Sequence, residues 1–153
     1  MSAAPPGDRG ETLVELLIAL AIMAITVVAV VGGLVSYISV SDIHRKQATA
    51  GAGVLDYGEA VQKSVTTGGY TACASPSSYA AAAVGYVPPA GYASAVQSVR
   101  YWSGSTWVST CSPGSDVGLQ RVSLQVASTD TRAVEITVVV LRNPCGIGTS
   151  CAS

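Results

Sequence analysis

A chain of 153 residues has room for one modest domain beside any long apolar segment, and no more. Hydrophobic residues make up 49% and charged residues 11%, with a net charge of -1 and the Lys and Arg scattered, so no basic stripe invites nucleic acid and no nucleic-acid partner is expected. The sequence holds no GxSxG, phosphate loop, HExxH or calcium loop, and its later acids form no DxD or ExxE pair; it reads as a non-enzyme with no cofactor and no metal site.

Residues 1–10, MSAAPPGDRG, carry two prolines and end in Asp8, Arg9 and Gly10, which makes them a short polar leader that cannot extend a helix backwards. Behind it, residues 10–40 read GETLVELLIALAIMAITVVAVVGGLVSYISV, with no charge from residue 16 to residue 41. At about 1.5 Å per residue this run crosses a hydrocarbon core of roughly 30 Å with length to spare. A cleaved secretory signal has an apolar core of roughly 7 to 15 residues, and this run is about twice that, with Ser39-Val40-Ser41 as a weak small-x-small match. Glu15 does not prevent insertion. The sixteen Leu, Ile and Val residues between positions 13 and 40 contribute on the order of 5 to 10 kcal/mol, against about 3 kcal/mol for one acid at mid-bilayer and less near the edge.

A carboxylate in a membrane segment implies either a place at the headgroups or a partner, and the flanking residues decide between them. Gly10, Glu11-Thr12-Leu13-Val14-Glu15-Leu16 and the unbroken apolar run resemble the N-terminal processing segment of type IV pilins and pseudopilins. The resemblance covers roughly the first 40 residues. It implies that a prepilin peptidase cuts after Gly10, and that Glu11 opens the mature chain where the family usually carries an N-methylated Phe or Met. It places Glu15 at the family's acidic position, taken to neutralise the terminal ammonium of a neighbouring subunit. The implied partners are the peptidase, other pilin or pseudopilin subunits, an inner-membrane assembly platform and membrane lipid. Arg9 alone precedes the stem while Arg45 and Lys46 follow it, so charge bias does not orient the segment. The peptidase motif does, with the leader cytoplasmic and the C-terminal part outside. Independently of the family, a new ammonium on Glu11 and the Glu15 carboxylate cannot both stay unpaired in lipid, and pairing between stems would fix their stagger.

Gly32 and Gly33 stand inside the apolar run, each costing roughly 1 kcal/mol relative to alanine in a helix. They read as a site of close helix packing or as a soft point where the helix breaks on assembly; the family often has a helix-breaking proline near this place. His44, at the membrane exit, reads as a solvated residue. Residues 47–67 continue the helix with Val54, Leu55, Tyr57, Val61 and Val65 on one face and Asp56, Glu59, Gln62 and Lys63 off it. Gly51, Gly53 and Gly58 weaken that expectation, and Gly68-Gly69 ends the helix.

Residues 69–95 read as a connecting loop with a short helix at 77–84, its tyrosines Tyr70, Tyr79, Tyr86 and Tyr92 packed on a sheet. Strands follow at 94–102 and 106–111 about Ser103-Gly104-Ser105, and at 119–128 and 132–142 about Thr129-Asp130-Thr131. In the third strand Leu119, Val122, Leu124 and Val126 stand against Gln120, Arg121, Ser123 and Gln125 with one irregular step, and in the fourth Glu135 is expected outward. Cys73, Cys111, Cys145 and Cys151 lie after the stem in no zinc-site spacing, and outside the cell they read as disulfides. Three connectivities exist; proximity favours Cys145 with Cys151, leaving Cys73 with Cys111.

The expected fold is α+β, a long N-terminal transmembrane helix packed on a small antiparallel sheet, the plan of a pilin. The divisions are 1–10 leader, 11–41 transmembrane and assembly helix, 42–68 helix continuation, and 69–153 extracellular loop and sheet. The alternative reading is a membrane-anchored extracellular domain that does not polymerise.

Overall fold

The structure, a computed structural model, describes residues 11–112 and 116–146, and side chains from residue 13 onward. The chain divides into two compact units, Met1–Asp42 and Ile43–Ser153. One helix, α1 (Glu11–Ser64), runs from the first unit into the second.

Within the first unit, every described residue from 13 to 41 is exposed, large apolar side chains included. The helix passes through Gly32 and Gly33 without a break, and open space surrounds both. Two hydroxyls turn back on the helix: Thr26 Oγ1 donates to the Met23 carbonyl at 2.8 Å and Ser36 Oγ to the Gly32 carbonyl at 3.1 Å. Such bonds remove donors that hydrocarbon could not satisfy.

In the second unit α1 presents Ala50, Val54, Tyr57 and Val61 to the core, and Val65, just past its end, joins them. Leu55, expected on this stripe, is 61% exposed, because at 100° per residue it falls on the flank. Gly53 and Gly58 are buried on the packed side. A Cβ at Gly58 would stand 3.2 Å from Val139 Cγ2, and one at Gly53 would stand 3.1 Å from the Tyr86 hydroxyl. Residues that weaken the helix on propensity thus allow its close approach to the layer beneath. The helix closes in a π turn, Val65–Gly69, where Gly68 adopts φ +102°.

The connecting segment forms a 3-10 turn, Pro76–Tyr79, followed by turns, in place of the helix expected over 77–84. Its tyrosines pack. Tyr79 is fully buried, and Tyr86 stacks on Tyr57 with centroids 4.7 Å apart.

Four antiparallel strands follow: β1 (Tyr92–Trp102), β2 (Trp107–Val108), β3 (Leu119–Ser128) and β4 (Val134–Arg142), in the order β2-β1-β3-β4. The second strand is thus far shorter than the expected 106–111. A register shift between Val96 and Ser98 lets Val96 and Val99 both face inward in β1. Along β3 the alternation is unbroken, so Gln120, Val122, Leu124, Val126 and Ser128 are buried. The expected irregular step does not occur: Gln120 faces inward and Leu119 takes the outer side. In β4, Val139 and Leu141 face inward, which puts Glu135 on the inner side, contrary to expectation, and leaves Val134, Ile136, Val138 and Val140 exposed. Period-two geometry fixes this, since Glu135 shares the parity of Val139.

Candidate functional site

Three places carry the chemistry of this chain: the start of the stem, a polar clamp at one end of the sheet, and the sheet's outer face. Gly10 lies outside the described residues. Glu11 opens α1. Glu15 follows one turn later with an exposed side chain, and no ion pair to it forms among the described residues. The next Lys or Arg along α1 is Arg45, at the other end of the apolar stretch. His44 is exposed on α1.

The clamp was not legible in the sequence. Asp116 accepts the Tyr70 hydroxyl at 2.8 Å, the Cys73 N–H at 2.9 Å, the Gly118 N–H at 2.9 Å and the Gln120 amide at 2.6 Å. Burial alone would raise the Asp116 pKa, but the bonds from Cys73, Gln120, Gly118 and Tyr70 together outweigh it and hold the carboxyl below its usual range. Gln120, with no exposed surface, also accepts the Tyr79 hydroxyl at 2.6 Å and donates to the Thr71 carbonyl at 2.8 Å. Burial, then the Asp116 charge, pushes the Tyr79 hydroxyl up and keeps it a donor. A disulfide joins Cys73 to Cys111 beside this network, with Cα atoms 5.5 Å apart. Cys145 is disulfide-bonded as well, and Cys151 lies outside the described residues.

At the opposite end of the sheet, Asp130 in the β3–β4 turn binds Lys46 of α1 at 2.5 Å and accepts the Ser128 hydroxyl at 2.6 Å. The Lys46 bond first, and the Ser128 bond after it, hold Asp130 well below the carboxylate range. Both aspartates are structural ties. Among the described residues no group of three or more His, Cys, Asp or Glu is placed to hold a metal ion.

The outer face of the sheet sets Arg100 directly opposite Arg121 and Ser98 opposite Ser123. The Arg121 guanidinium lies 5.0 Å over the Trp107 ring, which packs against Trp102 at 5.3 Å. Spacing within single strands gave no sign of this pairing, because it depends on register between β1 and β3.

Residues 6–31 match the family model described as the prokaryotic N-terminal methylation motif, the prepilin-type signal of type IV pilins and pseudopilins. The match spans the junction of leader and stem and includes Gly10, Glu11 and Glu15. No curated protein and no solved structure matches the chain. The motif indicates a type IV pilin-like precursor, and with the apolar helix it fits a membrane-anchored protein.

Proposed function

We propose that this chain is a pilin-like or pseudopilin structural subunit, cleaved after Gly10 and assembled through α1 into a type IV pilus or a type II secretion-like filament. One observation carries the reading: a methylation motif at residues 6–31 leads into an apolar helix whose Glu15 has no ion-pair partner among the described residues. A carboxylate in hydrocarbon costs several kcal/mol unless it is paired. Cleavage at Gly10 creates the missing cation, the ammonium of Glu11, and a neighbouring stem brings it within reach. The pair neutralises both charges and sets the axial stagger of the two helices.

In this reading residues 1–10 are removed and residues 11–41 form the membrane and assembly segment. Residues 42–68 carry the helix out of the bilayer, and residues 69–153 form the extracytoplasmic loop and sheet. The subunit would pass from the membrane into the filament by way of the prepilin peptidase and an inner-membrane platform. Gly32 and Gly33 supply either a close-packing surface between stems or a point of local unwinding on assembly.

Intact mass tests the reading. Co-expression with a prepilin peptidase should remove residues 1–10, and Gly10→Leu should abolish the loss. A leader that persists beside an active peptidase would leave the non-polymerising membrane anchor as the correct description.

A further inference from the structure

Register sets two like charges opposite each other on the outer side of the sheet. Arg100 of β1 and Arg121 of β3 are direct cross-strand partners, and residues in that relation have Cβ atoms about 4.5 to 5.5 Å apart. Like charges so placed oppose folding unless a group of opposite sign joins them. Arg142, outward on β4, adds a third positive charge to the same face. The protein supplies no counter-charge among its described residues. Its four strands hold one acid, Glu135, which stands on the inner side of β4. Asp116 is taken up by its clamp and Asp130 by Lys46. Asp56 and Glu59 stand on α1, where Glu59 lines the groove between the helix and β4, and neither forms an ion pair among the described residues.

The two arginines line a shallow cleft of about 300 Å³ with Ser98, Ser123 and Val138. The register shift that turns both Val96 and Val99 inward leaves Ser98 on the outer side with Arg100, directly opposite Ser123. Two guanidiniums and two hydroxyls therefore share one cleft, and none of the four makes a side-chain hydrogen bond or ion pair among the described residues. Arg121 is also held in place, since its guanidinium lies 5.0 Å over the Trp107 ring. A guanidinium carried over an aromatic ring keeps its in-plane N–H groups free for an acceptor.

We propose that the Arg100–Arg121 cleft binds a dianionic phosphoryl group, as free phosphate or as a phosphomonoester. Such a group carries about -1.5 to -2 charges at neutral pH and three acceptor oxygens. Its charge cancels that of the two guanidiniums. Its oxygens take a pair of parallel N–H donors from each arginine, and the Ser98 and Ser123 hydroxyls complete the set. A lone carboxylate brings two oxygens and one charge, too few for both arginines. The cleft opens outward, so whatever carries the phosphoryl group stays outside it. A soluble phosphate and a lipid headgroup ending in a phosphomonoester present the same chemistry to it. The site lies wholly within the second unit and depends on neither leader removal nor filament entry.

Unfolding of the full chain in neutral maltoside micelles at low ionic strength tests it, at a pH above the second phosphate pKa of about 6. Inorganic phosphate should raise the parent's unfolding midpoint saturably, and sodium acetate at equal ionic strength should not. Arg100→Gln should weaken the apparent affinity for phosphate by about tenfold or more. In phosphate-free buffer the same variant should be at least as stable as the parent, because the like-charge contact is gone. Arg100→Lys keeps the charge and loses the fork, so it should fold as the parent does and bind phosphate several-fold more weakly; it decides the matter should Arg100→Gln fail to fold. Glycerophosphate in solution and phosphatidic acid mixed into the micelles separate the sources. A gain from either that Arg100→Gln abolishes supports the site and says whether its phosphoryl group is soluble or lipid-borne. Equal gains in the parent and Arg100→Gln, no gain from any of the three phosphates, an acetate gain equal to that from phosphate, or an Arg100→Gln chain less stable than the parent without phosphate would overturn it.

Discussion

Gln120→Leu separates the polar clamp from the apolar core as the source of stability in the second unit. Gln120 has no exposed surface and makes three side-chain bonds, from the Tyr79 hydroxyl and to Thr71 and Asp116. Leucine keeps nearly the same volume and removes all three. The Tyr79 hydroxyl, on a residue 1% exposed, becomes a buried donor without an acceptor, which costs about 1 to 3 kcal/mol, and the lost bond to a charged carboxylate costs about 1.5 to 3 kcal/mol. Added apolar burial returns about 1 to 2 kcal/mol, so the net loss lies between about 0.5 and 5 kcal/mol and centres near 3 kcal/mol. Tyr79→Phe in the parent costs about 1 kcal/mol, because Gln120 loses one donor, but in the Gln120→Leu background it removes the orphaned hydroxyl. The double variant should therefore lose less than the sum of the singles by about 1 kcal/mol or more. Denaturant unfolding in detergent micelles reads this through Trp102 and Trp107, the two tryptophans of the chain, both in the sheet. A Gln120→Leu chain within about 0.5 kcal/mol of the parent, or strictly additive losses, would refute the role given to the clamp.

Opening the Cys73–Cys111 bridge by alanine at both positions frees a loop with a sequence separation of 38, and the chain-entropy relation predicts a loss of about 4 kcal/mol in the same unfolding experiment. Acid should weaken the unit through Asp116. Its folded pKa is depressed, so its stabilisation is complete above the unfolded value of about 3.9 and fades as pH falls through the lower folded value. Asp116→Asn should flatten the acid side of the stability profile, with the remaining slope coming from Asp130, which is shifted the same way. At the stem, Glu15→Ala should leave membrane insertion and leader removal intact and impair filament entry, as counted by shear fractionation and imaging. Normal filament numbers in that variant would sink the pairing of Glu15 with a neighbouring terminus.

The stem was legible because its signals are local. Insertion depends on summed side-chain transfer energies, and the processing motif is a contiguous string, so neither depends on long-range contacts. The strands from 119 and 134 onward were legible for a similar reason: β-branched alternation and the Thr129-Asp130-Thr131 turn are properties of adjacent residues. Reading went astray where parity or rotation about an axis had to be known. Leu55 left the helix stripe, Gln120 and Leu119 exchanged sides, and Glu135 turned inward, each displaced onto another face by the geometry of its own element.

By itself, then, the sequence determined the length and hydropathy of the stem, the motif at its start, the carboxylate at position 15 and the existence of a β-rich second half, because all of these reside in neighbouring residues. Tertiary structure alone decided that Asp116 and Gln120 gather the Cys73 loop, that Gly53 and Gly58 let the helix close on its partners, and that Arg100 meets Arg121 across two strands. These features join residues far apart in the chain. Only the register of β1 against β3 and the seating of α1 from Ile43 onward bring them together.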